Sequence, residues 1–154
     1  MKLILSVQAA KLLTYIYADV EAQSDADAIK RNYKVTHLLG KRERMTALAG
    51  FVLGPTAYRP ELLELTALAV AARIVSVAVL AALLAVWFGL WFDIRLNKRR
   101  NLLWHYIGQD PATANADKFA NKIFGKFKIP GKAYAAAKVI GCLILESAFY
   151  LLLM

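Results

Sequence analysis

Glu146 is the residue of this chain best suited to carry chemistry. It stands in Cys142-Leu143-Ile144-Leu145-Glu146-Ser147-Ala148-Phe149, an otherwise apolar stretch. A carboxylate near mid-membrane costs about 2.5–3.5 kcal/mol, so it calls for a partner, a proton or water. Two roles follow: a carboxylate that carries protons or cations, or one arm of a hydrogen bond or ion pair to another helix or subunit. Arg73 is the second ionisable residue in an apolar segment. By helical rise it lies about 10 Å from the depth of Glu146. The terminal carboxylate of Met154 matches Arg73 better in depth, so the expected pairing is Arg73 with the C-terminus, and Glu146 is left to a different partner.

Other reactive residue types are isolated. His37 has no second His, Cys or acidic residue at ligand spacing, and His105 sits in Trp104-His105-Tyr106 as a packing residue. Cys142 excludes an intramolecular disulfide and reads as a small buried hydrophobe. Asp110 reads as a helix cap and Asp117 as a helix-surface charge rather than an acid–base pair. The sequence holds no Gly-rich phosphate loop, no His-Glu-x-x-His and no nucleophile elbow. The expectation is a chain without catalytic residues, metal or cofactor.

The elements that position these residues are set by apolar runs. Ile74 to Phe92 carries no formal charge over nineteen residues and is followed by Arg95, Lys98, Arg99 and Arg100. A helix of that length rises about 28 Å, close to the hydrocarbon thickness of a bilayer. The apolar fraction of the 154 residues is 59%, above the roughly 45–50% of soluble domains. The expected fold is an all-α integral membrane bundle in a single domain. It has two transmembrane helices, a short third, and flanking amphipathic surface helices.

Along the chain, residues 1–40 form N-terminal helices. Leu3–Ala18 carries Gln8 and Lys11 off any single tidy face, and reads as a poor span, a protein-buried helix or an interfacial one. Lys11 also interrupts what would otherwise resemble a signal peptide. Ser24 followed by Asp27 has the form of a capping box, which predicts a second helix from Asp25 to Leu39 that stops at Gly40. Residues 45–93 read as a helical hairpin. Its first arm, Met45–Tyr58, is a short or re-entrant span, the turn is Gly54–Pro60, and its second arm runs from Glu61 to Asp93. A C-terminal span, Ala133–Met154, follows the breaker Pro130-Gly131, with Lys138 snorkelling from its first turns.

Residues 94–132 form a basic surface loop. Between the last two spans nine Lys and Arg stand against Asp93, Asp110 and Asp117. The positive-inside rule places this loop, with Lys41, Arg42 and Arg44, on the cytoplasmic or matrix side of a bacterial or mitochondrial inner membrane, a virion membrane being the alternative. Trp87, Trp91, Phe92 and Trp104 cluster at the same interface. After Asp110-Pro111, residues Ala116, Phe119, Ala120, Ile123 and Phe127 recur at helical spacing, with Lys118, Lys122 and Lys126 on another face. This is the pattern of a helix lying in a membrane surface. Arg99, Arg100, Lys118, Lys122 and Lys126 are the expected contacts to anionic lipid, cardiolipin among the candidates, or to an acidic partner. Each is worth about 1 kcal/mol near such a surface. The aromatics fall on the apolar stripe instead of forming an exposed stacking platform, so nucleic acid is not expected.

Small residues recur every four positions: Thr46, Gly50, Gly54; Ala81, Ala85, Gly89; Ala133, Ala137, Gly141. Such stripes let helix backbones approach closely. Together these features point to a non-catalytic subunit of a larger hetero-oligomeric membrane assembly, such as an energy-transducing complex. A structural protein of a membrane-containing virion and a small homo-oligomeric channel or carrier using Glu146 are the alternatives.

Overall fold

The computed structural model describes residues 2–31, 67–108 and 115–152. Among these are four helices: α1 (Lys2–Lys30), α2 (Ala67–Arg99), α3 (Asn115–Phe124) and α4 (Pro130–Leu152). Two are long and apolar enough to cross a membrane, over Val70–Arg99 and Pro130–Leu152. The expected span Met45–Tyr58, Gly50, Gly54, His37, the Asp110-Pro111 cap, the Arg73 side chain and Met154 lie outside the described residues.

α1 corrects the expectation of two separate N-terminal helices. It runs without a break through Ser24, Asp25 and Asp27. A Ser-x-x-Asp sequence caps only where the chain enters a helix. Here Glu21-Ala22-Gln23 leads in and Ala26 and Ala28 follow, with no Gly or Pro to interrupt them.

α2 continues past Asp93 to Arg99, so Arg95, Lys98 and Arg99 belong to a helix and not to a loop. Its end is a Schellman motif. The N–H of Leu102 donates to the Asn97 carbonyl at 2.9 Å and that of Asn101 to the Lys98 carbonyl at 3.1 Å. Asn101 adopts the left-handed conformation, φ 57°, that this motif demands. Lys98 and Arg99 fill the last turn, where cations oppose the helix dipole. α4 starts three residues earlier than expected, with Pro130 as its first residue, where a missing N–H costs nothing.

α2 is the central helix. α1 packs along it in parallel: Lys11 lies over Trp87, Tyr15 against Trp91, and Asp19 beside Arg95, every pair separated by the same 76 positions. α4 runs antiparallel on the other flank, with Lys138 reaching Gly89 and Gly141 facing Val86. The three meet in one core of Val7 and Ala10, Leu80, Leu83 and Leu84, and Cys142 and Phe149. The outer faces stay apolar and exposed: Leu12, Leu13 and Ile16 on α1, Ile74 and Val75 on α2, and Ile140, Leu143 and Ile144 on α4.

Candidate site of interhelical charge pairs

Each pairing of the three long helices carries one set of opposite charges. Between α1 and α4, Lys11 Nζ meets Glu146 Oε2 at 2.9 Å, and Gln8 Nε2 donates to Oε1 at 3.0 Å. Gln8 and Lys11 are three residues apart and share a helix face. Between them they occupy both carboxylate oxygens. The Lys11 ammonium also sits 4.5 Å from the Trp87 ring centroid, and the Trp87 indole N–H donates to the Lys11 carbonyl at 3.1 Å. The Lys11 and Glu146 side chains are 13% and 19% exposed.

Between α2 and α4, Lys138 Nζ contacts Asp93 Oδ2 at 2.5 Å and donates to the Gly89 carbonyl at 3.1 Å, lying 4.2 Å from the Tyr134 ring centroid. A Cβ at position 89 would stand 3.4 Å from that ammonium, so the glycine lets the lysine approach the α2 backbone. Lys138 therefore turns onto α2 instead of snorkelling. Between α1 and α2, Asp19 Oδ1 accepts from Arg99 Nη2 at 3.0 Å and lies 3.4 Å from Arg95 Nε. The Arg95 guanidinium covers the Tyr15 ring at 5.1 Å.

This arrangement assigns Glu146 a partner that spacing did not reveal. Gln8, Lys11, Tyr15 and Asp19 recur at three- and four-residue steps and do form one face of α1. Cutting the segment at Ala18 hid Asp19, the residue that completes the stripe. Among residues expected to touch lipid or a partner, Arg99 is engaged by Asp19, whereas Arg100, Lys118, Lys122 and Lys126 are exposed. The small-residue stripes divide in the same way. Gly89, Gly141 and Ala81 lie at the helix contacts, but Ala85 and Ala137 face outward, because the α2–α4 crossing presents only part of each stripe. The buried hydroxyls Thr14 and Ser76 bond to carbonyls of their own helices, Ala10 and Ala72, and so line no polar path.

The segment between α2 and α3 is fixed by side-chain amides and a carboxylate. Buried Asn97 donates to the carbonyls of Trp104 (3.3 Å) and Tyr106 (2.9 Å). Asp117 Oδ2 accepts the Gly108 N–H at 3.2 Å, and Asn121 Nδ2 donates to the Gly108 carbonyl at 2.8 Å. Asp117 is thus an anchor and not a plain surface charge. Burial raises its pKa above the ordinary 3.8, a shift only partly opposed by the Gly108 hydrogen bond and by the charges of Lys138 and Arg100. His105 packs edge-on against Trp104, and its carbonyl abuts Gly131, where no side chain fits.

α3 turns Ala120 inward, with Phe124 against Tyr134 of α4. Phe119 and Ile123 on α3, and Phe127 beyond its end, are exposed, with Phe119 at 64%. The predicted apolar face is therefore split into a docking edge and an outward one.

No group of three or more His, Cys, Asp or Glu among the described residues could hold a metal ion. No protein-family model, curated protein or solved structure matches the chain.

Proposed function

We propose that the chain is a non-catalytic integral membrane subunit that docks within a larger membrane assembly, of which an energy-transducing complex is one type. The observation that carries this is the inversion of polarity across the bundle. Core helices of soluble proteins hide their apolar residues, yet only 28% of the most apolar window of α2 and 11% of that of α4 is buried. Glu146 and the pair Asp93–Lys138, charges on these helices, turn inward to opposite partners instead, which is how ionisable groups are carried in hydrocarbon. Exposed apolar side chains along three helices are of the kind that marks a membrane or partner surface.

The basic end of α2 then lies on the cytoplasmic or matrix side, as do the end of α1 and the start of α4. Parallel α1 and α2 begin on one side and end on the other, so this reading requires a return crossing between them, the role expected of Met45–Tyr58. α3, with Phe119 and Ile123 exposed beside Lys118 and Lys122, and with Phe127 and Lys126 just beyond its end, lies in the inner membrane surface among anionic headgroups. Ala85 and Ala137, unused inside the bundle, are available to neighbouring subunits. Glu146 is a structural anchor, since both its oxygens are taken.

The test is gentle extraction of the tagged chain from its own membrane, followed by native-gel sizing and mass spectrometry. A discrete complex of unlike subunits is the expected result. A homo-oligomer alone overturns the accessory reading and favours a channel, to be tested by flux through Glu146→Gln. Release from the membrane by alkaline carbonate overturns the integral placement.

A further inference from the structure

The groove between α1 and α2 is built from residues of two kinds. Arg95 closes the end near the basic terminus of α2, Tyr15, Trp87, Trp91 and Leu12 form the wall, and Gln8 and Lys11 close the far end. Its volume is about 390 Å³ and it opens outward. Arg95 and Trp87 are eight residues apart, so the groove follows α2 for about 12 Å.

The charges at its two ends differ. Lys11 is matched one to one by Glu146, so the far end is neutral. At the near end Arg95 and Arg99 share one oxygen of Asp19, so within this cluster two cations meet one anion. No carboxylate lines the groove. A cation above an aromatic, apolar channel of this depth matches a phosphate joined to a hydrocarbon chain.

The geometry points to a binding site for one anionic phospholipid of the inner leaflet, its phosphate at Arg95 and the upper part of an acyl chain along Tyr15, Trp91 and Trp87. This rests on the membrane placement proposed above, and is distinct from the exposed lysines of α3. The Arg95 guanidinium supplies donors to the phosphate, and its position over the Tyr15 ring holds the fork in place. The indole faces supply a rigid wall for the chain.

The experiment uses the full chain carrying Trp104→Phe, which leaves the two groove tryptophans as the only fluorophores of their type. It is reconstituted in phosphatidylcholine vesicles, and flotation measures embedding independently. Brominated phosphatidylglycerol or brominated phosphatidylcholine is then titrated in, and quenching of Trp87 and Trp91 is read. The anionic lipid is expected to reach half-quenching at about one fifth of the fraction needed by the zwitterionic one, the gain from one cation near a headgroup. Arg95→Gln is expected to remove that difference while leaving quenching by phosphatidylcholine unchanged. Arg100→Gln, outside the groove, is expected to keep it.

Equal quenching by the two lipids in the parent chain overturns the site while the membrane placement stands. A preference that survives Arg95→Gln assigns the effect to the general basic surface and also overturns it. Vesicles that float with the protein yet quench with neither lipid show a groove covered by a second copy of the chain, and this also overturns the site. Failure to float overturns the membrane placement itself.

Discussion

The Lys11–Glu146 pair and the Asp19–Arg95–Arg99 cluster use the same chemistry to join helices, yet they are built differently. The first is one cation to one anion, with Gln8 filling the remaining oxygen and the Trp87 ring over the ammonium. Its side chains are less than a fifth exposed. The second is two cations to one anion, with side chains about a third exposed. A charge held in apolar surroundings has to be matched completely, because water is not there to complete the shell. A charge at the end of the bundle can stay unbalanced, since solvent and headgroups share it. On the membrane placement proposed above, the degree of balance follows depth: among the described sets, the less exposed one is matched one to one and the more exposed one is not.

That comparison breaks most sharply at the inner pair. Lys11→Ala or Glu146→Ala strands one charge, and either is expected to lower stability by about 3–5 kcal/mol. The double variant Lys11→Met with Glu146→Leu removes both charges. It is expected to recover to within about 1 kcal/mol of the parent, because replacing a buried pair by apolar side chains of similar size is often neutral. Unfolding in detergent micelles by SDS titration measures both. If the single variants cost no more than the double one, the pair is not in apolar surroundings and the depth argument fails.

The next effect is steric and concerns the joint that sets α4 against α2. Gly131 meets the His105 carbonyl where a Cβ has no room. Gly131→Ala forces the 101–108 segment or the start of α4 to shift, and is expected to cost about 1–3 kcal/mol. A lowered midpoint in the same titration checks this, with Gly141→Ala run alongside as the control, since a Cβ there meets only the Val86 side chain at 3.8 Å. A loss that also weakens the effect of Lys138→Ala would show that the joint positions the Asp93–Lys138 pair.

How much of this was legible in the sequence follows from what each feature depends on. The two apolar helices could be read because continuous apolarity is a local property: Ile74–Phe92 and the run after Ala133 need no partner to be recognised. The end of α2 was misplaced because polarity, not backbone chemistry, was used to mark it. Asp93 looked like an exit, but it is held within the bundle by Lys138, and the true stop signal was Asn101 behind Lys98-Arg99-Arg100. The partner of Glu146 was out of reach because it lies 135 positions away on a helix whose parallel packing no local pattern encodes. A heptad-like reading of Gln8, Lys11, Tyr15 and Asp19 would have shown the stripe, though not what it faces. Ala85 and Ala137 were grouped with Gly89 and Gly141 by spacing alone. Only the crossing of α2 and α4 decides which of them meets a neighbour.

At the outer cluster the expected effects shrink. Asp19→Asn leaves Arg95 and Arg99 without their shared anion, but both remain accessible to solvent and headgroups. A loss of roughly 0–1 kcal/mol is expected, and it should diminish as salt is raised. The same variant in the brominated-lipid titration should increase the anionic preference, since it removes the charge that now competes for Arg95. A cost as large as that of Glu146→Ala would place Asp19 at the same depth as the inner pair and erase the contrast between them.

The smallest effect belongs to Asp117, which stands outside both sets and titrates on its own account. Burial lifts its folded-state pKa above the ordinary value of 3.8 that it takes when the chain is unfolded. Between those two values the folded form holds a proton that the unfolded form has released. Stability therefore falls as pH rises through this window, and the gain is complete once pH is below the ordinary value. The hydrogen bond from the Gly108 N–H favours the charged form and opposes this trend without reversing it. Asp117→Asn keeps an oxygen to accept that N–H and removes the titration. Its unfolding midpoint should rise less on acidification across mildly acidic pH than that of the parent chain, the difference being the share of Asp117. If the parent instead loses stability there relative to the variant, the Gly108 bond outweighs burial, and Asp117 belongs with the charges that need to stay charged.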